Sequence, residues 1–599
     1  MSTRAVKSAS LSLFLLLAWS AASQAQQTTK PNPLSALTPV TDTMLRDPPP
    51  SDWLMWRRTY NDWGYSPLDQ INKDNVKNLR PAWTWSLTSG VTEIAPLVHD
   101  GVLYITNAGD KIQALNAATG DLLWEYRRDL APKLIAQGGN TLAKRNMALY
   151  GDSLIIATSD DHLVALNAKT GKVVWDHEVA DWKQGWRYSS GPFIAGGKVI
   201  AGMSGCNAAQ GGGCFITGHD PNTGAELWRV HTLAQDNDPN GKTWNGLPLD
   251  QRFGGSAWIA GSYDPDLNTV YYGVGQPYPW IAEMRGTLPK KDGFENSALY
   301  TDSTLAIDPS TGKLKWHYQH LQNDTDDLDY SFERVLVDVP FNGGTRKALV
   351  TAGKLAIVEA LDRTNGQFLW AKETVPQNVV SSIDPKTGVK TLNPEAIPHI
   401  GKTTMTCPAD PGARGWPSTA YSPRTKMLYL PLTEFCSATT PTPIDAGKKY
   451  TGGGRAVHVR GPVPNSDGNF GRIDAISLTD HTQAWSTRQR VPVTSAILPT
   501  GGGLVFAGSL DRWFRAYDDT TGKILWQVRT NNAVNAFPIT YSVAGKQYIA
   551  IAVGDGSSQV RSLNTLTPDV KNPDRGSMLW VFALPDSSGA DHANTGHQQ

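Results

Sequence analysis

The sequence predicts an all-β chain, an eight-bladed β-propeller with tryptophan-docking repeats, on three observations. First, one short phrase recurs six times: ALNAATGDLLW, ALNAKTGKVVW, GHDPNTGAELW, AIDPSTGKLKW, ALDRTNGQFLW and AYDDTTGKILW, each with Trp four residues after Gly. The Gly supplies the positive φ of a tight hairpin and the flanking apolar residues alternate as strands do, so each Trp is expected to begin a strand. Second, NLRPAW at Trp83 and LTDHTQAW at Trp485 keep the Trp without the Gly, making eight copies. Third, the usual interval of ~40 to 50 residues is that of a four-stranded blade, which cannot cover both its faces and stacks on neighbours.

The elements follow in order. Arg4 and Lys7, the apolar run Leu11 to Trp19 and the small residues ending Ser23-Gln24-Ala25 read as a cleaved secretory signal over residues 1–25, too short for a membrane span. A soluble periplasmic protein is expected, with residues 26–599 forming the propeller. The stretch from Gln26 to Pro50, rich in Pro, Thr and Ser, reads as an extended arm. Eight Trp repeats then pace the chain. Two intervals are long, Trp228 to Trp316 and Trp370 to Trp485. On a rigid closed scaffold such extra length sits in loops, and loops carry function.

Composition excludes some classes. With 55 basic and 55 acidic residues, no electrostatic argument favours nucleic acid or an anionic membrane. The four cysteines, Cys206, Cys214, Cys407 and Cys436, suit an oxidising compartment. Three pairings are open; Cys206 with Cys214 and Cys407 with Cys436 is favoured because each pair brackets one insertion. None lies in a C-x-x-C-H, so a covalent c-type haem is not expected. His317 and His320 are three apart on a predicted strand and face opposite sides, which argues against zinc. Phosphate-loop, dinucleotide and nucleophile-elbow motifs are missing too.

The densest acidic run is QNDTDDLDYSFE, with Asp324, Asp326, Asp327 and Asp329 within six positions. Composition alone reads it as a solvated turn or a Ca²⁺ loop between blades, though not an EF-hand, which needs a Gly at its sixth position and a closing Glu. Its place directly after the strand begun by Trp316, where a loop reaches one mouth of a propeller, raises a functional reading.

Over nearly all of the mature chain the sequence resembles the quinoprotein alcohol dehydrogenases, periplasmic enzymes that use pyrroloquinoline quinone (PQQ). The resemblance runs through SDWLMWRRTYNDWGYSPLDQINKDNVKNLRPAW, the Trp repeats, GSYDPDLNTVYYGVG, LYTDSTLAIDPSTGKLKWHYQ and GGGLVFAGSLDRWFRAYD, and Cys407 and Cys436 match the family's pair in spacing. It implies Asp329 as catalytic base and Trp258 as the floor under the flat cofactor, with Ser256 beside it. Glu93, Arg145, Thr158, Ser204 and Gly205 match positions that hold the cofactor's carboxylates and carbonyls, and Lys354 the cation that reaches the quinone oxygens. A planar tri-acid calls for an aromatic surface, cations and hydroxyl donors.

The departures are informative. Asn207 stands where a glutamate metal ligand is usual, and Gln276 where an asparagine is, so the implied metal set is Asp329, Gln276 and Asn207 with one anion fewer. Ca²⁺ accepts amide oxygens. Lanthanide-using members carry a second Asp two residues after the base; here it is Ser331, which points to Ca²⁺. Gly139 and Asn140 replace the adjacent cysteines that cap the ring, and the loop closed by Cys206 and Cys214 is the expected substitute.

The implied reaction has Ca²⁺ as Lewis acid on the C5 carbonyl of PQQ, Asp329 taking the hydroxyl proton, and hydride passing from the carbinol carbon to C5. Lys354 stabilises the growing charge, and a soluble cytochrome c takes the electrons. The altered cap and metal shell resemble a side branch of the family that oxidises bulky or secondary alcohols. The competing reading is a non-catalytic periplasmic scaffold that binds protein partners; such a scaffold has no need of Asp329, Trp258, Glu93, Arg145 and Lys354 together.

Overall fold

The computed structural model describes residues 32–138, 144–206, 211–443 and 455–586. The expected leader, Gly139, Asn140 and the expected metal ligand Asn207 lie outside them. Among the described residues are eight antiparallel sheets of four strands each. Seven are drawn from successive stretches of chain, the first from Leu97–His99, Val102–Asn107, Lys111–Asn116 and Leu122–Arg127. The eighth joins both ends of the chain: Arg80–Ser86 pairs with Met578–Ala583, which pairs with Lys546–Val553 and then Ile539–Val543.

The Trp phrases make the last hairpin of their sheets. In the first copy Gly120 has φ +80°, its N–H donates to Asn116 O at 2.8 Å, and Asn116 N donates to Asp121 O at 2.8 Å. An Asx turn holds each bend: Asn116, Asn167, Asp220, Asp308, Asp362 and Asp518, always four residues before the Gly, accept from the backbone N–H two residues on. The Trp is the third residue of its strand rather than the first, as in Leu122–Arg127.

Each Trp then docks on the next sheet. Trp83 Nε1 donates to Ala117 O, Trp124 to Ala168 O, Trp175 to Pro221 O, Trp228 to Pro309 O and Trp485 to Asp519 O, at 2.8 to 3.3 Å, always to the residue three before the Gly. The Gly is required by contact as well as by φ, since a Cβ built on Gly120 would sit 2.6 Å from Trp83 Cε3, and one on Gly366 2.5 Å from Trp316 Cε3. In the degenerate copy His481 takes the Gly position, with φ +62°, and stacks on Trp370 at 4.1 Å. Trp526 donates to Leu79 O, just ahead of Arg80–Ser86, so the docking order returns to its start.

The amino-terminal arm is not extended. It carries the short helix Asp42–Arg46 and is fastened by Val40 N to Gly151 O at 2.9 Å and Thr38 N to Asp100 Oδ2 at 2.8 Å. Beneath it, buried His99 places Nδ1 2.7 Å from Asp52 Oδ2 and Nε2 2.8 Å from Thr38 O. Both ring nitrogens face acceptors, so this cluster is filled by an imidazolium ion pair. Further on, buried Arg57 donates to Thr419 O and Ile497 O, bonding distant sheets together.

Both long intervals hold extra structure. The first carries the two-stranded pairing of Phe253–Gly254 with Pro277–Tyr278. The second carries the hairpin of Val380–Ile383 with Lys390–Leu392 and a sheet of Thr404–Thr406, Cys436–Pro441 and Ala456–Gly461. Disulfides join Cys206 to Cys214 and Cys407 to Cys436. Among the described residues no helix is long and apolar enough to cross a membrane.

Candidate functional site

A cavity of about 830 Å³ opens where both insertions meet the sheets. The first insertion contributes Ser256, Trp258, Gln276, Tyr278 and Trp280, and the second Asp410. Asp327 and Asp329, Arg145, and Ser204 with Gly205 supply further wall. The expectation from the two long intervals is met in space.

Asp329 stands at the centre. Its Oδ1 accepts from Gln276 N–H at 3.1 Å and from Trp258 Nε1 at 3.4 Å, while Oδ2 lies 2.9 Å from Lys354 Nζ. Gly275 makes the approach possible, because a Cβ there would fall 2.2 Å from Asp329 Oδ1. Lys354 is fully buried and also lies 2.8 Å from Asp327 Oδ2, with Asp410 Oδ1 at 4.0 Å. Burial works against its charge, but Asp327, Asp329 and Asp410 outweigh that and hold the ammonium well above its ordinary range.

The acidic run is no solvated turn. Asp324, Asp326, Asp327 and Asp329 are all buried. Burial raises Asp326 and Asp327 well above the ordinary carboxylate range and pushes Asp324 up to about 6. Both oxygens of Asp326 and of nearby Asp302, one of Asp327, and Gln276 Oε1 have no hydrogen-bond partner. Such a concentration of enclosed, unpaired oxygens costs folding free energy in the absence of a cation. The donor set of carboxylate and amide oxygens fits a hard cation such as Ca²⁺.

Arg145 supplies the cationic wall. Its guanidinium lies 5.1 Å from the centroid of Trp258 and 5.6 Å from that of Trp416, bonds Ser189 O at 2.8 Å and pairs with buried Glu93. Burial lowers its pKa and Glu93 works to raise it. Glu93 stands behind the cavity and accepts from Ser557 N–H at 2.7 Å. Ser204 Oγ donates to Arg187 O at 2.8 Å. Gly205 has φ +79°, and a Cβ on it would meet Gly185 O at 2.3 Å, so its backbone lines the wall where no side chain fits. Ser256 Oγ lies 3.7 Å and 3.9 Å from the sulfurs of Cys206 and Cys214, which places that disulfide behind Ser256. Thr158 is apart from the others: its hydroxyl donates to Asp160 Oδ1 at 2.6 Å, and it does not line the cavity.

An indole floor, a cation against it and hydroxyl and backbone donors around it fit a flat polyanionic ring. Sequence reasoning missed Asp327 and Asp410 as wall residues, Trp416 above Arg145, and the helix Ser558–Leu563 with Ser557 ahead of it. That helix lies far along the chain from every motif, and only folding brings it near.

Comparison with known proteins is consistent across sequence and structure. The family model for PQQ-using glucose/ethanol/alcohol dehydrogenases, β-propeller domain, matches residues 53–384 and 386–549. The quinoprotein alcohol dehydrogenase PedH of Pseudomonas putida is 31% identical over 548 residues, covering 87% of this chain and 89% of its own. The quinoprotein ethanol dehydrogenase of Pseudomonas aeruginosa is 31% identical over 568 residues, covering 87% and 88%. Among solved structures, a europium-containing methanol dehydrogenase superposes with TM-score 0.81 at 27% identity, over 90% of this chain and 99% of that one. The quinohemoprotein alcohol dehydrogenase ADHIIG of Pseudomonas putida HK5 gives 0.80 at 28% identity, over 94% and 84%.

Proposed function

Because the chain belongs to the PQQ-using glucose/ethanol/alcohol dehydrogenase β-propeller family, we propose that it is an eight-bladed, periplasmic, PQQ- and Ca²⁺-dependent dehydrogenase that oxidises a bulky or secondary alcohol to an aldehyde or ketone. The observation that carries the reading is Asp329, set in the cavity wall between the indole of Trp258 and the ammonium of Lys354.

Trp258 is the floor for the cofactor ring, Arg145 the counter-charge for a carboxylate, and Ser204, Gly205 and Ser256 its hydrogen-bonding rim. Gln276 and Asp329, joined by Asn207, are the metal's ligands; the unpartnered Gln276 Oε1 supports this. When bound, quinone and cation supply a two-electron acceptor and the Lewis acidity that polarises it. Asp329 Oδ1 takes the proton of the substrate hydroxyl as general base. Lys354 offsets the charge on Oδ2 and, with Asp327, fixes the carboxylate in place. The walls exclude bulk water, which strengthens each of these interactions. No C-x-x-C-H occurs in the sequence, so the electrons pass to an outside carrier, a soluble cytochrome c. The leader over residues 1–25 and the two disulfides support export to the periplasm. Reconstituting the apo-protein with PQQ and Ca²⁺ and following dye reduction by alcohols tests the proposal; no dye reduction by any alcohol overturns it.

A further inference from the structure

We infer that the substrate is a polyol, an alcohol on a compact carbon frame bearing further hydroxyl groups, gripped by Ser557 and Gln559 on one segment and Trp280 on another. This rests on the dehydrogenase reading above. Setting aside the residues assigned there to cofactor and metal, the remaining cavity wall is almost wholly polar, and Val91 is its one branched aliphatic side chain. A pocket for simple alkanols is lined with aliphatic groups, because only burial of alkyl surface gives such substrates affinity.

Three buried polar atoms in this wall have no protein partner: Trp280 Nε1, Ser557 Oγ and Gln559 Oε1. One is a donor, one an acceptor and one both. A hydroxyl donates and accepts, so several hydroxyls satisfy all three, whereas an alkyl chain leaves them unpaired. The atoms are held ready. Ser557 N–H is fixed to Glu93 Oε1, Arg561 donates to Gly556 O at 2.8 Å and Ser562 Oγ to Gln559 O at 2.7 Å, which anchors the helix Ser558–Leu563.

Tyr278 and Trp280, with ring centroids 6.5 Å apart and planes 33° apart, add an aromatic platform for the C–H face of a carbon ring. Asp327, Asp410 and Asp555 against Arg561 make the wall acidic, which disfavours an anionic alcohol. A cavity of 830 Å³ is far larger than a one-carbon alcohol needs.

The test compares kcat/KM for cyclohexanol, 1-hexanol, cyclohexane-1,4-diol and inositol on the PQQ- and Ca²⁺-loaded protein with a dye acceptor. The polyols are expected to exceed cyclohexanol by at least about tenfold. Gln559→Leu should collapse that ratio through KM, and Trp280→Phe, which keeps a ring and removes only the N–H, should lower it too. Cyclohexanol or hexanol matching the polyols overturns the inference while leaving the dehydrogenase reading intact. If no alcohol is oxidised the parent reading fails, and saturation-transfer NMR with inositol still decides: binding weakened by Gln559→Leu supports the polyol grip, and no binding to the wild-type protein overturns it.

Discussion

Lys354 and Asp329 form a buried ion pair, Nζ to Oδ2 at 2.9 Å, at the wall of the principal cavity. The same ammonium holds Asp327 at 2.8 Å, so one cation serves two carboxylates two residues apart. Replacing it by Met leaves both without their counter-charge. Lys354→Met is expected to lower stability by about 3–5 kcal/mol, read as denaturant midpoint, and to reduce activity.

Asp329→Asn keeps the shape of the wall and removes the proton acceptor. PQQ binding, followed by absorbance, should persist while kcat falls by about 10² to 10⁴. Unchanged turnover removes Asp329 from the base role.

Gln276→Ala deletes the amide whose Oε1 is buried without a partner. The Ca²⁺ concentration for half-maximal reconstitution should rise by at least about tenfold, measured by titration of the chelated protein. An unshifted midpoint removes Gln276 from the metal set.

His99 makes the arm sensitive to pH. Burial opposes its charge, but the hydrogen bonds to Asp52 and Thr38 O, with the Asp52 and Asp100 charges, raise its pKa above the ordinary value. A raised folded pKa gives stabilisation that is complete below the unfolded value of about 6.5 and is lost as pH climbs through the folded one. Amide exchange at Val40, corrected for its intrinsic rate, should accelerate with rising pH in the wild type, and His99→Gln should flatten that dependence.

Gly120 and Gly109 separate strain from packing. Both have φ near +80°, yet a Cβ on Gly120 strikes Trp83 whereas one on Gly109 meets nothing within 4 Å. Gly109→Ala should cost about 1 kcal/mol through φ alone. Gly120→Ala should cost about 1–3 kcal/mol more, seen as a lower Tm.

The repeat was legible because each copy states its own geometry: a Gly for positive φ, a Trp at fixed offset, alternating flanks. Even His481 was legible as a copy, though not its stacking on Trp370. The Asx turns carried a signal that went unused, an Asn or Asp four residues before each Gly. Site residues within continuous motifs, such as Trp258, Gln276 and Asp329, could be placed by resemblance. Ser557, Gln559 and Asp410 could not, since their neighbours are far away in sequence. The run from Asp324 to Asp329 misled on composition, because a cluster of carboxylates ordinarily faces water and burial is decided by the surrounding insertions.

The strand Arg80–Ser86 completes its sheet only with Met578–Ala583. A nascent chain lacking its last segment therefore keeps an open seam, with the Arg80–Ser86 edge bare however well the middle has folded. Trimming the tail should loosen the head, whereas new termini cut at an exposed hairpin elsewhere, with the old ends linked, should be tolerated.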